Sequence, residues 1–115
     1  MSIDNALIDG VMKVYQSKGV GKFFSINFLD EQDGEFVFEV SFPADCLNPQ
    51  GNVQGGMITS VLDDCTALCV LFSTKGKRFP NTTDFHTTFH RPLSLEPVII
   101  KASILKMGKN IVSIE

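Results

Sequence analysis

Residues 57–72 are apolar on almost every side, with just two ionisable carboxylates, Asp63 and Asp64, at the middle. A surface helix alternates an apolar stripe with a charged face, so a run apolar all round predicts a helix buried in the protein. Gly55-Gly56 precede this run and offer backbone N–H groups that no side chain shields. Upstream, residues 4–17 pattern as an amphipathic helix with Leu7, Val11, Val14 and Tyr15 on one face and Asp4 as N-cap. Gly19 ends it, with Lys18 in the last turn suiting the helix dipole. Strands are expected over 23–29 and 35–42, joined by the polar turn Asp30-Glu31-Gln32-Asp33-Gly34. In the second strand Phe36, Phe38, Val40 and Phe42 alternate with Val37, Glu39 and Ser41, as in an antiparallel hairpin with one covered face. Beyond the central helix the pattern predicts strands over 82–90, 97–107 and 111–115, the last two joined at Gly108-Lys109-Asn110. One helix, two strands, a buried helix and three strands make an α+β domain whose sheet curls around the buried helix.

Composition narrows the class. The chain has 115 residues, 43% hydrophobic and 20% charged, which suits one ordinary globular domain spanning residues 1–115. A net charge of −3 supplies no field that would attract nucleic acid or an anionic membrane. The N-terminus lacks the basic start and apolar core of a secretion signal, and no uninterrupted run of about 18 apolar residues occurs, so no membrane partner and a cytoplasmic location are expected. Three cysteines without a CxxC pair read as small buried apolar residues in a reducing compartment, with Cys65 and Cys69 on one helix face. Lys75, Lys77 and Arg78, just past the central helix, read as serving its dipole and solubility, with a phosphate contact as the second reading. The last strand has barely begun at Glu115, which reads either as a very short strand or as a chain shortened at its C-terminus.

The chemistry concentrates on the central helix. Asp63 and Asp64 point about 100° apart and cannot form one paired-carboxylate site. One can face a cleft while the other is anchored, or both can be polar anchors of a partly exposed helix. The N–H groups of Gly55-Gly56, at the positive end of the helix dipole, form either a plain helix start or a carbonyl-polarising site. Gly55 and Asp63 lie eight residues apart, about 12 Å along one helix axis. Both therefore cannot touch one reacting carbonyl, and if both act in one reaction the acid must come from a second copy. That predicts a two-fold dimer with two composite sites. His86 and His90 fall on the same side of a strand but about 13 Å apart, too far to share a metal, so none is expected.

These residues carry a resemblance. The run from Asn48 through Gln54-Gly55-Gly56 to Asp63, followed by Thr82-Thr83-Asp84-Phe85-His86 and Phe89-His90-Arg91-Pro92, resembles the hotdog-fold acyl-CoA thioesterases of the phenylacetate-degradation type, within the hydroxybenzoyl-CoA thioesterase superfamily. The resemblance covers about residues 20–115 and implies a curved antiparallel sheet wrapped around a long central helix, in dimers or tetramers with interfacial sites. It implies that the Gly55 N–H polarises the thioester carbonyl and that Asp63 of the partner subunit acts as general base or nucleophile. Asn48 would orient water or the acid, Thr82 or Thr83 would hold the water, and Gln54 and Gly56 would shape the substrate loop. Arg91, Lys106 and Lys109 lie where relatives hold the coenzyme A phosphates, or are solvated surface charges, and Met57, Val61 and Phe89 either line an acyl pocket or belong to the core. Coenzyme A enters as part of the substrate, with no further cofactor. Relatives usually carry His before the glycine pair where this chain has Gln54, which can hydrogen-bond but cannot carry a proton near pH 7. Two functions remain open on this reading: acyl-CoA hydrolysis, and acyl-CoA binding without turnover as a sensor or carrier. A hotdog dehydratase is disfavoured, because it needs a His with its acid and none lies near the helix start.

Overall fold

A computed structural model describes residues 3–115 of the chain. Helix α1 (Asn5–Ser17) begins where the Asp4 carboxylate accepts from the Ala6 N–H at 2.9 Å, the N-cap that the sequence predicts. Its inner side is Ile8, Val11, Met12 and Tyr15, whereas Val14 is exposed. The expected face is thus rotated, with Ile8 and Met12 inward where Leu7 and Val14 were expected. Lys18 turns extended and Gly19 takes φ 72°, which stops the helix. A 3-10 turn, Gly19–Lys22, follows; at Gly21 a Cβ would lie 2.1 Å from the Tyr15 carbonyl oxygen, so only glycine permits this close return.

Strands β1 (Ser25–Gln32) and β2 (Glu35–Ser41) form the expected hairpin, with β1 running three residues further than the pattern predicts. The reason is the Asp33-Gly34 pair: both residues have positive φ, 52° and 83°, and together they make a two-residue loop whose twist matches the strands. Residues 30–32, expected in the turn, therefore pair with β2. A bulge at Leu29 separates the Phe28–Phe38 pair from the Asp30–Val37 pair. It sends Glu31 to the same side as Phe28 and Ile26. Strands β3 (Val98–Met107) and β4 (Val112–Ile114) complete an antiparallel sheet of order β1-β2-β3-β4.

Helix α2 (Gly55–Ser73) lies across the covered face of this sheet. Phe72 sets its ring against Phe28, Phe36 and Phe38 at centroid distances of 5.1, 6.4 and 6.5 Å. Val61, Cys65, Leu68, Cys69, Val70 and Phe72 are buried, but Met57, Ile58 and Leu62 are only half-buried. Burial on all sides was expected; the sheet covers one side of the helix and leaves the other open to a cavity. By length and composition α2 could cross a bilayer, a test that core helices also pass, and here it packs on the sheet. At its end the Gly76 N–H returns to the Leu71 carbonyl at 2.8 Å, with Lys75 and Gly76 both at positive φ.

One predicted element does not form. Residues 82–90 run as irregular chain rather than strand, with Phe85 and Phe89 exposed at 38% and 52%. Alternation alone does not make a strand; it needs a neighbour to accept its ladder, and none lies beside this segment in the described chain. The face-sharing geometry expected of His86 and His90 falls with it.

Candidate functional site

Asp63 and Asp64 leave α2 in different directions, as their 100° separation requires. Asp64 turns toward α1 and its Oδ2 accepts from the Tyr15 hydroxyl. Burial holds its carboxyl above the usual Asp range, the Tyr15 bond offsets part of that, and the Asp63 charge adds to it. The same burial and bond push the Tyr15 phenol far up. Asp63 points toward the irregular segment instead, and its Oδ1 accepts from the Thr82 hydroxyl. It stands at the wall of a cavity of about 690 Å³ between α2, the irregular segment and the β3–β4 pair, lined also by Leu62, Thr66, Ile100 and Ile114.

The start of α2 is a donor site. Gln54 is the N-cap: its backbone oxygen and its Oε1 both accept from the Met57 N–H, at 2.9 and 3.1 Å. Among the described residues nothing accepts from the N–H groups of Gly55 or Gly56. They remain available to a ligand at the positive end of a 19-residue helix. The Phe89 ring lies over Gly55, 3.5 Å from where a Cβ would sit. A Cβ on Gly56 would stand 2.8 Å from the Gln54 Oε1, so the folded-back Gln54 side chain depends on that glycine.

Asn48 builds the loop leading into the helix. Its Oδ1 accepts from the N–H groups of Gln50 and Asn52 at 3.0 and 3.1 Å, which commits that oxygen to the turn. Val53 N–H then reaches the Leu93 carbonyl at 2.9 Å, tying the irregular segment to the helix start. The segment therefore runs back along α2, from Thr82 at Asp63 to Phe89 and Leu93 at the helix start. Thr82 sits at the acid, and Thr83 lines the same cavity.

The three proposed phosphate-binding cations are not gathered within one chain. Arg91 lies two residues before Leu93, at the start of α2. Lys106 and Lys109 lie at the β3–β4 turn, beside the other end of a helix about 28 Å long. Arg78 binds that turn: its guanidinium donates to the carbonyls of Gly108 and Lys109 at 3.2 and 3.1 Å. Its expected role at the helix dipole is thus joined by a structural one, for which cation spacing gives no signal. Among the proposed acyl contacts, Val61 is fully buried core, Met57 is half-buried and Phe89 is exposed. Cys46, Cys65 and Cys69 are buried free thiols. Burial raises all three, Cys69 to about 12, which keeps them protonated and poor nucleophiles. Sequence reasoning missed the Tyr15–Asp64 bond, the Arg78 clamp and the buried Glu31. Each joins residues far apart in the chain or depends on a bulge, so neither spacing nor pattern reports it.

The sequence profile of the thioesterase superfamily matches residues 50–115, from the Asn48 loop through α2 to the last strand. The chain belongs to the thioesterase superfamily. A Thermoplasma acidophilum protein named as an esterase is 28% identical over 93 residues, covering 80% of this chain and 67% of that protein. Among solved structures, a phenylacetic acid degradation-related protein of Ralstonia eutropha aligns with a TM-score of 0.72 at 24% identity, over 89% of this chain and 82% of its own. The zebrafish thioesterase superfamily member 2 aligns at 0.76 and 19% identity, over 94% and 80%. The Escherichia coli PaaI protein of the phenylacetic acid degradation operon aligns at 0.72 and 18% identity, over 94% and 77%. The architecture is accordingly the hotdog fold, a curved antiparallel sheet against one long helix.

Proposed function

We propose that this member of the thioesterase superfamily hydrolyses an acyl-CoA at a composite site between two copies of the chain, in the cytoplasm. The observation that carries the reading is Asp63, held by Thr82 at the wall of a cavity while the free Gly55 N–H lies eight residues away on the same helix. A thioester carbonyl oxygen accepting from the Gly55 N–H makes its carbon more electrophilic. Asp63 of the partner subunit takes a proton from water as the water oxygen bonds to that carbon, or attacks the carbon itself to give an acyl-aspartyl anhydride that water then hydrolyses to the free acid. Collapse breaks the C–S bond, and the thiolate leaves to be protonated as free coenzyme A. Thr82 orients the acid, and Asn48 with Gln54 holds the loop that presents the glycines. Arg91 at one end of α2 and Lys106 and Lys109 at the other can meet one coenzyme A only across two chains, which agrees with the composite site.

The alternative, an acyl-CoA binder without turnover, draws on Gln54. Its Oε1 caps Met57, and no protonatable side chain replaces it at the helix start. A thiol-release assay across an acyl-CoA panel separates the two. Hydrolysis predicts release that falls about 100-fold or more in Asp63→Asn with the dimer intact. Equal rates in the two proteins exclude Asp63 chemistry, and saturable binding without release in the unaltered protein establishes the second reading.

A further inference from the structure

The cavity beside Asp63 is apolar within and charged at its mouth. Its partly buried apolar wall comes from three elements: Leu62 and Ala67 of α2, Ile100 of β3, and Val112 and Ile114 of β4. Of the ionisable side chains around it besides Asp63, Asp84, His86, Lys101 and Glu115 are exposed, which puts them in solvent at the opening. Arg78 is already held by the Gly108 and Lys109 carbonyls. The rest of the polar wall is uncharged: threonines and Asn81 of the irregular segment, Asn110, and Thr66 on α2, whose hydroxyl donates to the Asp63 carbonyl at 2.9 Å.

An acyl group entering here meets no free charge inside the opening except the acid that would act on it. A charged acyl group would lose its water without meeting an opposite charge, whereas an aliphatic one exchanges water for apolar side chains. A volume of about 690 Å³ falls in the range of sites for drug-sized ligands, well beyond an acetyl or butyryl group. Ala67 stands one turn from Asp63 on the same face of α2, about 6 Å further along the axis. Its side chain is a single methyl group, so the wall stays open at that point. Val61, expected against the acyl group, lies in the core, and neither it nor Met57 or Phe89 lines this cavity.

We propose that the acyl group of the bound acyl-CoA is a medium-length fatty chain lying in the Asp63 cavity against Leu62, Ala67, Ile100 and Ile114, and that Ala67 sets its length. The inference rests on the thioesterase reading and adds to it the class of acyl group and the residue that selects it. Thiol release is measured with butyryl-, octanoyl- and phenylacetyl-CoA. Each methylene moved out of water contributes roughly fourfold, so kcat/KM should rise about tenfold or more from butyryl to octanoyl, with phenylacetyl below octanoyl. Ala67→Phe fills the wall one turn from the acid and should lower the octanoyl-to-butyryl ratio about tenfold or more. Ala67→Ser, close to alanine in size, should retain the parent ratio. The three acyl-CoAs on the unaltered protein test the proposal even if Ala67→Phe fails to fold. An octanoyl-to-butyryl ratio near one, a preference for phenylacetyl, or an unchanged ratio in folded Ala67→Phe would overturn it. If no acyl-CoA releases thiol, the thioesterase reading falls, and Kd for the same series, with coenzyme A alone as reference, decides the acyl site separately. Binding that tightens with chain length, and loses that trend in Ala67→Phe, supports the proposal; a flat series overturns it.

Discussion

Two adjacent aspartates illustrate how environment divides labour between identical side chains. Asp63 meets a cavity and a threonine, whereas Asp64 is buried against Tyr15 on another helix. Because burial raises the Asp64 carboxyl in the native state, the native protein holds a proton over a pH window in which the unfolded chain has lost it. Asp64's contribution to stability is therefore full below the ordinary Asp pKa of about 4 and is lost as pH rises through the raised native value. Asp64→Asn keeps an acceptor for Tyr15 and removes the charge. It should flatten that pH dependence in urea denaturation and be at least as stable as the parent at neutral pH. Tyr15→Phe instead leaves the acid without its donor and should cost about 1–3 kcal/mol. If both substitutions shift the midpoint equally, the bond between them is not the cause.

At the scale of elements, long-range clamps hold the working parts. The β3–β4 turn is fastened to the end of α2 by the Arg78 fork on two successive carbonyls. Arg78→Ala should lower stability by about 1–3 kcal/mol, and Arg78→Lys should recover little of it, since a single ammonium cannot match the planar fork. Hydrogen exchange at Gly108 to Ile111 should accelerate in both variants; unchanged exchange there would assign the loss to another region. The hairpin shows how a turn propagates. Asp33-Gly34 imposes a two-residue loop, which draws residues 30–32 into the strand, and the Leu29 bulge then decides that Glu31 rather than Asp30 faces in. The Asp-Gly pair was present in the sequence, but grouping it with three preceding polar residues obscured its effect. The bulge has no sequence signal of its own.

For the whole molecule the decisive question is whether one copy suffices. Residue 54 has φ −65° and ψ 136°, the conformation a following proline requires, and Gly55 is the first residue of α2, where proline is well accepted. Gly55→Pro therefore removes the proposed electrophilic N–H and should leave the helix intact, with loss of activity of about 100-fold or more. Mixed with Asp63→Asn after dissociation and reassociation, it should restore about a quarter of the parent activity. Half of the dimers then pair the two variants, and one of the two sites in each has both groups. No recovery, with exchange verified by mass, would place Gly55 and Asp63 in the same chain's site or outside the chemistry. Exposed Phe79, together with Phe85 and Phe89 of the irregular segment, is apolar surface that such an association would cover.

The helices, three of the five expected strands at nearly their observed bounds, the α+β class and the separate directions of Asp63 and Asp64 were legible in the chain, because they follow from local periodicity and helical geometry. The N-cap at Asp4, the inward Phe36-Phe38-Val40 row and the unshielded glycines before α2 are of the same kind. Only the tertiary structure decided which side of α2 the sheet covers, that residues 82–90 stay irregular, and that Thr82 meets Asp63. It alone also brought Tyr15 to Asp64, Arg78 to the β3–β4 turn and Glu31 into a cavity. Those outcomes depend on contacts between distant residues, whose free energy is absent from any local stretch of the chain and exists only once the sheet has closed over the helix.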